Sequence, residues 1–453
     1  MTDGGTRYEF RLRASARWSD GQPVTAGDFV RGLRRAVDPA THAPGASLLA
    51  AVRGAPDVLA GRSPPTALGV SELDPHTLRI DLAGPAPYFP SILANAVAYP
   101  ERAGADRRPG NGEGLVSNGA YRLVKWVPGG DLTLERNPEY WDAANVAVPR
   151  IDYVAIADSN AEYARYRAGE LDMTSTVPSA QFAQLRRERP GELQVRPQLA
   201  VVYYVFNLSR PPFRDAPGLR EALSLAIDRQ RITDGILAAG QVPAYSFVPP
   251  GIQGYEGPDY AWRTESAESR AARARALYAA AGYSATRPLR LRLLCPEDDR
   301  LRKVALAVSA MWRAVLGVEA TPVYLEYRSF LAAREQRGDW DVLSHGWNAD
   351  YPDPGNFLGI FNRGSAQNDA RFADPEFERR MAAAATEADG AQRLALLASA
   401  ERRLLDAYAI APLYYAVSAR LVNPRVDGAV LAPMNHNYSK YLSLRSDERK
   451  AAR

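Results

Sequence analysis

Residues 340–354, W-D-V-L-S-H-G-W-N-A-D-Y-P-D-P, join a short strand to a loop. The first five residues alternate and run apolar as in a buried strand, whereas the glycine and prolines that follow are typical of a loop. The loop carries Asp350 between Trp347 and Tyr351. Aromatic walls exclude water and strengthen the pull of a carboxylate on an ammonium, so this loop is a candidate receptor for a cationic, partly apolar ligand. The alternative is that both aromatic residues are core and Asp350 forms a turn.

Length and charge limit the class of protein. The chain has 453 residues, of which 46% are apolar and 24% are charged, and this size predicts two or three domains. The net charge is +4, with both signs mixed along the whole length. A nucleic-acid surface would need a basic stripe with interleaved aromatic residues, so we expect no nucleic-acid partner.

The sequence predicts neither a metal nor a cofactor. Cys295 is the single cysteine, which excludes an internal disulfide and a multi-thiolate metal site. The four histidines lie far apart, and none has metal-ligand spacing. The longest uncharged run, residues 82–100, is interrupted by prolines and is therefore not a membrane helix.

The first residues lead straight into a strand pattern at residues 8–13, without a basic start, an apolar segment or a cleavage site. We therefore expect no signal peptide in this sequence. Either the protein is cytosolic, or the natural N-terminus was removed or missed.

The first block of the chain resembles a small α+β unit. A strand is predicted at residues 7–13, and a helix follows at 25–37 with Thr25 as N-cap and Asp28 at the third helical position. Residues 69–82 predict a hairpin. Residues 104–114 are expected to form a glycine-rich surface loop, in which a phosphate-binding fragment is disfavoured because no strand leads into it.

Strand and helix patterns alternate through the second half of the chain, which predicts βα units around a mostly parallel sheet. The predicted helices there are residues 217–227, 266–281, 301–316, 327–337, 376–387 and 391–409, and the predicted strands that alternate with them are 289–294, 319–325, 342–347 and 410–417. Before them, the sequence predicts a hairpin at 120–126 and 131–137, buried strands at 151–156 and 201–208, and a helix at 159–167.

Separate motifs, in the same order, resemble one known family. They are W-S-D-G-Q-P-V-T-A-x-D-F-V at 18–30, S-N-G-A-Y at 117–121, N-P-x-Y-W at 137–141, R-x-G-E-L-D at 167–172, P-P-F at 211–213 and G-W-x-A-D-Y at 346–351. Over residues 8–441 the chain resembles the peptide/nickel/opine-type solute-binding proteins of ABC importers, and is most similar to periplasmic oligopeptide-binding proteins.

The resemblance implies an α/β, two-lobed periplasmic-binding-protein-like fold with mixed central sheets and an extra small α+β domain. The lobes of such proteins close on a ligand by a hinge motion. The implied extra domain is residues 1–114, lobe I is residues 115–199 plus 418–453, and lobe II is residues 200–417. Family members normally carry a signal peptide and a leading strand of lobe I, which we expect to be missing here.

The resemblance also assigns one end of the ligand. In oligopeptide binders the carboxylate of the G-W-x-A-D-Y loop holds the free α-amino group of the peptide, which implies this role for Asp350. Such a charge-assisted bond is stronger than a neutral one. Trp347 would pack over the first ligand side chain, with Gly346 and Tyr351 beside it, although a core role for Trp347 remains an alternative.

Further binding residues follow from the resemblance. Tyr203, Tyr204 and Asn207 lie on a strand that passes the cleft in the family, and since only alternate residues face one side, one of the two tyrosines is expected to be core. A polar cluster with Asn435 and Asn437 matches a segment near the cleft, and a plain surface loop is its alternative.

The other end of the ligand departs from the family pattern. Ser344 and Leu237 stand where oligopeptide binders tend to carry an arginine and a lysine for the ligand carboxylate. His345, Arg334 and Arg328 are the candidate replacements, or the ligand differs in length or lacks that group.

We expect a monomeric, non-enzymatic component that captures short peptides and passes them to the permease subunits of a membrane importer. Its location by resemblance is periplasmic or membrane-anchored and extracytoplasmic. The alternatives are another solute (murein peptide, opine, nickel or haem), a cytosolic sensor domain, and a hydrolase. A hydrolase using Ser344, His345 and Asp350 is disfavoured because adjacent residues of a strand point to opposite faces and no nucleophile elbow is present.

Overall fold

The computed structural model describes residues 3–104, 115–336 and 339–445, which contain four β-sheets. Residues 105–114 of the predicted glycine-rich loop at 104–114, which include the predicted end of the extra domain, lie outside the described residues. The last residues of the chain, 446–453, lie outside them as well. Within the described ranges no helix has the length and apolar character that crossing a bilayer requires.

The first unit packs a helix on a three-stranded antiparallel sheet. Its elements are β1 (Arg7–Arg11), α1 (Ala26–Val37), α2 (Ala55–Leu59), β2 (Val70–Asp74), β3 (Thr77–Asp81) and α3 (Phe89–Ile92), with strand order β1-β3-β2. The predicted start of α1 is confirmed, because the Thr25 N–H donates to Asp28 Oδ2 at 2.9 Å. The Trp18 indole donates to the same oxygen at 3.1 Å, so Trp18 and Asp28 of the first motif stabilise this unit.

The second unit is a small antiparallel sheet with two helices. Its elements are β4 (Tyr121–Trp126), β5 (Leu132–Arg136), β6 (Arg150–Tyr153), α4 (Ser159–Arg167) and α5 (Phe182–Glu188), with strand order β4-β5-β6. The bounds predicted for α4 are confirmed, and Gly169 after it takes a positive φ of 78°. The sequence did not predict α5. Its buried Leu185 belongs to a small apolar core with Tyr166 and Leu421.

The third unit is built on a six-stranded sheet with helices on both faces. Its elements, with two short strands that follow it, are β7 (Leu193–Phe206), α6 (Pro217–Leu225), a π-helix (Arg231–Leu237), β8 (Val242–Pro243), α7 (Ala267–Ala280), β9 (Arg290–Pro296), α8 (Asp299–Leu316), β10 (Glu319–Leu325), α9 (Tyr327–Glu335), β11 (Val342–Asn348), α10 (Pro354–Leu358), α11 (Pro375–Thr386), α12 (Gly390–Asp406), β12 (Ile410–Leu421), β13 (Val426–Asp427) and β14 (Ser443–Leu444).

The large sheet is mixed, and the prediction of a mostly parallel sheet is wrong. Its order is β10-β9-β11-β7-β12-β8, and β9 runs parallel to both β10 and β11, whereas the remaining pairs are antiparallel. Parallel pairing needs a crossover connection, and α8 and α9 supply it only between β9, β10 and β11. The long strands β7 and β12 pair directly with each other instead.

Strands β7 and β12 link the second and third units. β7 crosses the predicted lobe boundary at residues 199/200, and β12 crosses the one at 417/418. Their pairing shifts register between Pro412 and Tyr414, and again between Tyr415 and Val417. Leu421, at the far end of β12, is buried in the small core of the second unit. The predicted lobe boundaries stay a proposal. With the lobes divided there, these two strands are the covalent connections between them.

Alternate residues of the central strands face two separate cores. Tyr204, Phe206 and Val342 face the core under α6, α7 and α8. Tyr203 and Leu343 face the other core, under α10, α11 and α12. Successive side chains of β11 therefore lie in different cores, so only alternate ones share the side of the sheet that carries α10.

Candidate ligand-binding site

Strand β11 delivers the loop that carries Asp350. The strand runs through Gly346 and Trp347 to Asn348, one residue beyond the predicted strand at 342–347. Trp347 pairs with Val201 of β7 and lies on the face of β11 opposite to Ser344. The indole is therefore held by a paired strand and the carboxylate by the short loop after it.

Asn356 of α10 holds Asp350 and Trp347 together. Its Oδ1 accepts the Asp350 N–H at 3.0 Å and the Trp347 indole N–H at 3.1 Å. Its Nδ2 donates to Asp350 Oδ2 at 3.0 Å. This amide is buried, and among the described residues it is the side chain that hydrogen-bonds the Asp350 carboxylate. A neutral amide orients the carboxylate and leaves its negative charge uncompensated, as an ammonium site requires.

Asp350 lines a cavity of about 300 Å³ between the first and third units. Half-buried Trp347 and Tyr351 form part of its wall, and contact of either ring with a ligand stays a prediction. The lining residues are Ser47, Leu48, Ala50, Ala51, Tyr88 and Ile92 of the first unit, and Trp347, Asp350, Tyr351, Gly355, Asn356, Gly359, Ile360 and Ser365 of the third.

Tyr88 of the first unit packs against the Asp350 loop, next to a buried ion pair of the third unit. Arg393 of α12 forms two bonds to Asp353, at 2.7 and 2.8 Å, and its guanidinium lies 4.9 Å from the centre of the Tyr88 ring. Tyr88 stacks on Tyr351, with ring centroids 5.1 Å apart and planes at 13°. Burial raises the pKa of Tyr351, so its ring packs as a neutral phenol. Tyr88 is thus held by two residues of the third unit.

His345 lies on the same face of β11 as Trp347. Its Nδ1 is 3.0 Å from Tyr203 Oη, and its Nε2 is 3.0 Å from a guanidinium nitrogen of Arg334. Arginine only donates, so Nε2 accepts and Nδ1 carries the proton. Burial, reinforced by Arg334, lowers the pKa of His345 to about 4. At neutral pH His345 is therefore a hydrogen-bonding group without charge.

The opposite face of β11 is packed into the core. Ser344 is buried beside Cys295, whose pKa burial raises to about 12, and Leu237 is buried in the same core. Ser344 and His345 thus point away from each other, as the argument against a hydrolase pair requires. Contact of Ser344 with a ligand stays a prediction.

The predicted residues of β7 are also buried. Tyr203 and Tyr204 are 1% and 0% exposed, so both pack in the core where one was expected to. Asn207 donates to the Trp340 carbonyl at 3.1 Å and accepts from Ser209, which stabilises the end of the strand. These contacts are structural, and a ligand contact by any of the three side chains stays a prediction.

The remaining predicted residues lie elsewhere. Asn437 Nδ2 donates to the Asn435 carbonyl at 3.0 Å, and Asn435 Oδ1 accepts from Ser418 Oγ at 3.3 Å, which gives a polar turn beside β12. Arg328 is exposed at the start of α9, whereas Arg334 at the other end of that helix reaches His345. Neither asparagine lines the cavity around Asp350.

Sequence reasoning missed Asn356, Tyr88 and Arg393. Their roles depend on contacts between distant segments, which no local pattern reveals. One local pattern was available for Asn356: Asp353-Pro354 is typical of a helix start, and Asp353 Oδ1 indeed accepts the Gly355 N–H at 2.8 Å. A helix starting there returns Asn356 toward Asp350.

Two strands run from the second unit into the third, and separate units form the walls of the cavity. This arrangement is that of a solute-binding protein. The model of the bacterial extracellular solute-binding proteins, family 5 Middle, matches residues 1–369. The chain therefore belongs to family 5 of the bacterial extracellular solute-binding proteins.

Individual relatives agree with this assignment. The periplasmic oligopeptide-binding protein OppA of Escherichia coli is 39% identical over 444 residues, which cover 96% of this chain and 81% of OppA. The structure of Haemophilus influenzae OppA in complex with the peptide RPPGFSPFR matches with a TM-score of 0.83 and 35% identity, covering 98% of this chain and 88% of that one. The E. coli murein tripeptide binding protein MppA matches with a TM-score of 0.85 and 33% identity, with the same coverage.

These matches confirm the predicted fold class and the predicted family. The architecture is the periplasmic-binding-protein-like α/β fold with mixed sheets. The relatives bind solutes by their names and are not named as enzymes.

Proposed function

We propose that this protein captures short peptides in extended form between its lobes and delivers them to the permease of an ABC importer. The peptide enters with its free amino group at Asp350. The protein acts outside the cytoplasm as a monomer, and the permease subunits in the membrane are its partners.

The observation that carries this proposal is the uncompensated carboxylate of Asp350 in a cavity. Asn356 fixes one of its oxygens at 3.0 Å, and the rest of the cavity is lined mostly by aromatic and aliphatic residues, with Ser47 and Ser365 as the further polar side chains. A carboxylate in such surroundings pairs more strongly with an ammonium than it would in water. The free α-amino group of a peptide is such an ammonium.

The walls of the cavity suit the residue that follows the amine. Trp347 uses its indole N–H on Asn356, so its ring faces remain for apolar contact. Tyr351 is fixed by its stacking on Tyr88. A rigid aromatic wall accepts side chains of many shapes, which supports binding with little dependence on the first side chain.

The relatives support the same solute class. OppA of E. coli is named for oligopeptide binding, and the H. influenzae relative is described in complex with a peptide. A further relative in the same set of structures is named as part of an oligopeptide ABC transporter of Bacillus anthracis.

Native mass spectrometry tests the proposal. The wild-type protein is mixed with an equimolar pool of peptides of two to eight residues and the same peptides acetylated at the amino end. We expect bound peptides to come from the free-amine half of the pool, and Asp350→Asn to lose most of them. Glu256→Gln, which removes an exposed carboxylate of the same unit, should retain them. No bound peptide, or equal binding of both halves, would contradict the proposal.

A further inference from the structure

A second polar cluster lies behind the cavity wall and is connected to it through Ser365. It consists of Arg334 from α9, His345 from β11 and Asp369 from the segment before α11. His345 lies two residues before Trp347 on the same face, which places it roughly 7 Å along the strand. Gln367 accepts from Arg334 at 3.3 Å, and its N–H donates to Ser365 Oγ at 3.2 Å, a side chain that lines the cavity.

The cluster is buried and only partly hydrogen-bonded. The side chains of Arg334, His345 and Asp369 are 13%, 9% and 8% exposed. Arg334 Nε lies 3.6 Å from Asp369 Oδ1, and His345 Nε2 lies 3.7 Å from Asp369 Oδ2, both beyond hydrogen-bond length. Among the residues that the structure describes, neither Arg334 Nε nor Asp369 Oδ2 has a hydrogen-bond partner.

These two atoms are an unused donor and an unused acceptor side by side. Buried polar atoms of this kind are normally paired with protein, ordered water or a ligand. Arg334 Nε can only donate, and ionised Asp369 Oδ2 can only accept. The complementary group therefore accepts at one atom and donates at its neighbour.

The charges of the cluster favour a neutral group. The guanidinium and the carboxylate compensate each other, and His345 is uncharged at neutral pH because its pKa is lowered to about 4. A ligand carboxylate would accept from Arg334 and face Asp369 with a like charge. A ligand ammonium would meet the reverse problem at Arg334, since like charges in contact oppose binding.

We propose that Arg334 and Asp369 form a subsite for a carboxamide of the bound ligand, with Asp369 selecting against a carboxylate. The carboxamide oxygen accepts from Arg334 Nε, and its NH₂ group donates to Asp369 Oδ2. His345 is a positioning residue, because it orients the guanidinium through Nε2 and is itself fixed by Tyr203. This inference rests on the proposed peptide binding and names the chemistry of its second polar contact.

A carboxamide can come from the amidated end of a peptide or from a glutamine side chain. Calorimetry therefore compares trialanine with trialanine amide, and Ala-Gln-Ala and Ala-Ala-Gln with their glutamate and leucine counterparts. All of these ligands keep the free amino group that Asp350 requires. We expect at least one carboxamide ligand to bind tenfold more tightly than its carboxylate counterpart, and the arm that shows this identifies the source.

Asp369→Asn is the variant that tests the selecting group. It removes the like charge, so we expect the carboxamide preference to fall below threefold, whereas Glu256→Gln should keep it. Ratios within twofold in every wild-type arm, as when water alone pairs these atoms, would overturn the inference. An unchanged carboxamide preference in Asp369→Asn would also overturn the inference. If that variant does not fold, the wild-type series alone tests the subsite.

The outcomes separate this inference from the proposed function. If acetylation abolishes binding but carboxamide and carboxylate ligands bind alike, only the subsite is wrong. If no peptide binds in any arm, the proposed function and the subsite are both overturned.

Discussion

At the scale of single residues, one buried amide organises the proposed binding site for the peptide amine. Asn356 accepts from the Asp350 backbone and from the Trp347 indole, and donates to the Asp350 carboxylate. One side chain therefore sets the position of the charge and of the aromatic wall. Because a charged hydrogen bond depends strongly on geometry, loss of this amide should be felt in ligand affinity.

Asn356→Ala should weaken the binding of trialanine about tenfold, since the carboxylate loses an oriented donor worth about 1.5 kcal/mol. Asn145→Ala, which removes an exposed asparagine of the second unit, is the matched control and should bind like wild type. Titration calorimetry measures both. Equal affinity in wild type and Asn356→Ala would show that Asp350 is positioned without the amide.

His345 predicts a specific loss of stability in acid. Its folded-state pKa is lowered to about 4 by burial and Arg334, so the unfolded chain takes up a proton near pH 6.5 while the folded protein does not. Its stabilising contribution is complete above pH 6.5 and is lost as the pH falls through 4. Burial raises the pKa of Asp369 to about 6, so the change in stability that this group causes on acidification has the opposite sign. Asp369 is present in every variant compared, so the difference between variants reports on His345.

Chemical denaturation from pH 7 to pH 4 measures this contribution. Relative to His345→Gln, the wild-type protein should lose about 3 kcal/mol of unfolding free energy over that range. His436→Gln changes an exposed histidine and should follow wild type. Parallel curves for wild type and His345→Gln would show that the folded protein binds this proton normally.

At the residue scale, the sequence pointed to residues that share a motif and missed residues that are held by distant contacts. Trp347 and Asp350 lie in one continuous motif and also line one cavity. Tyr88 and Arg393 meet from segments more than 300 residues apart, at a ring-to-guanidinium distance of 4.9 Å. No periodicity links such positions, because their contact depends on the docking of whole units.

At the scale of elements, α12 stabilises the short helix that carries Asn356. Asp353 caps α10 and forms the buried pair with Arg393, whose side chain is 6% exposed. Removing one partner of a buried pair leaves an uncompensated charge, which costs more than the pair itself contributes.

Arg393→Met should therefore lower the unfolding free energy by about 3 kcal/mol. Arg403→Met breaks a pair to Asp374 in which the arginine is 45% exposed, and it should cost less than about 1 kcal/mol. Urea denaturation compares the two. Similar losses would mean that the Asp353 pair behaves as a surface pair.

Strand direction was the main element-scale failure of sequence reasoning. The βα alternation correctly predicted β9, α8, β10, α9 and β11 in order, because each has its own local periodicity. It could not show that β7 and β12 pair antiparallel, since pairing partners are chosen by the tertiary fold. Both strands also run beyond their apolar segments, where their side chains become partly exposed near the second unit.

At the scale of the whole molecule, the ligand cavity belongs to no single unit. Its walls come from the first and third units, while β7 and β12 connect the third unit to the second. The family resemblance predicts a ligand between lobes I and II, whereas the walls of this cavity come from residues predicted to form the extra domain and lobe II. Local sequence patterns predicted only the separate units.

The central claim is that Asp350 binds the free amino group of a peptide. Calorimetry of trialanine and N-acetyl-trialanine, on wild type and on Asp350→Asn, isolates that contact as a double-mutant cycle. We predict a coupling of about 2 kcal/mol: acetylation should weaken binding to wild type roughly 30-fold and change binding to Asp350→Asn less than about threefold. If acetylated and free trialanine bind the wild-type protein within twofold of each other, Asp350 is not the amine anchor.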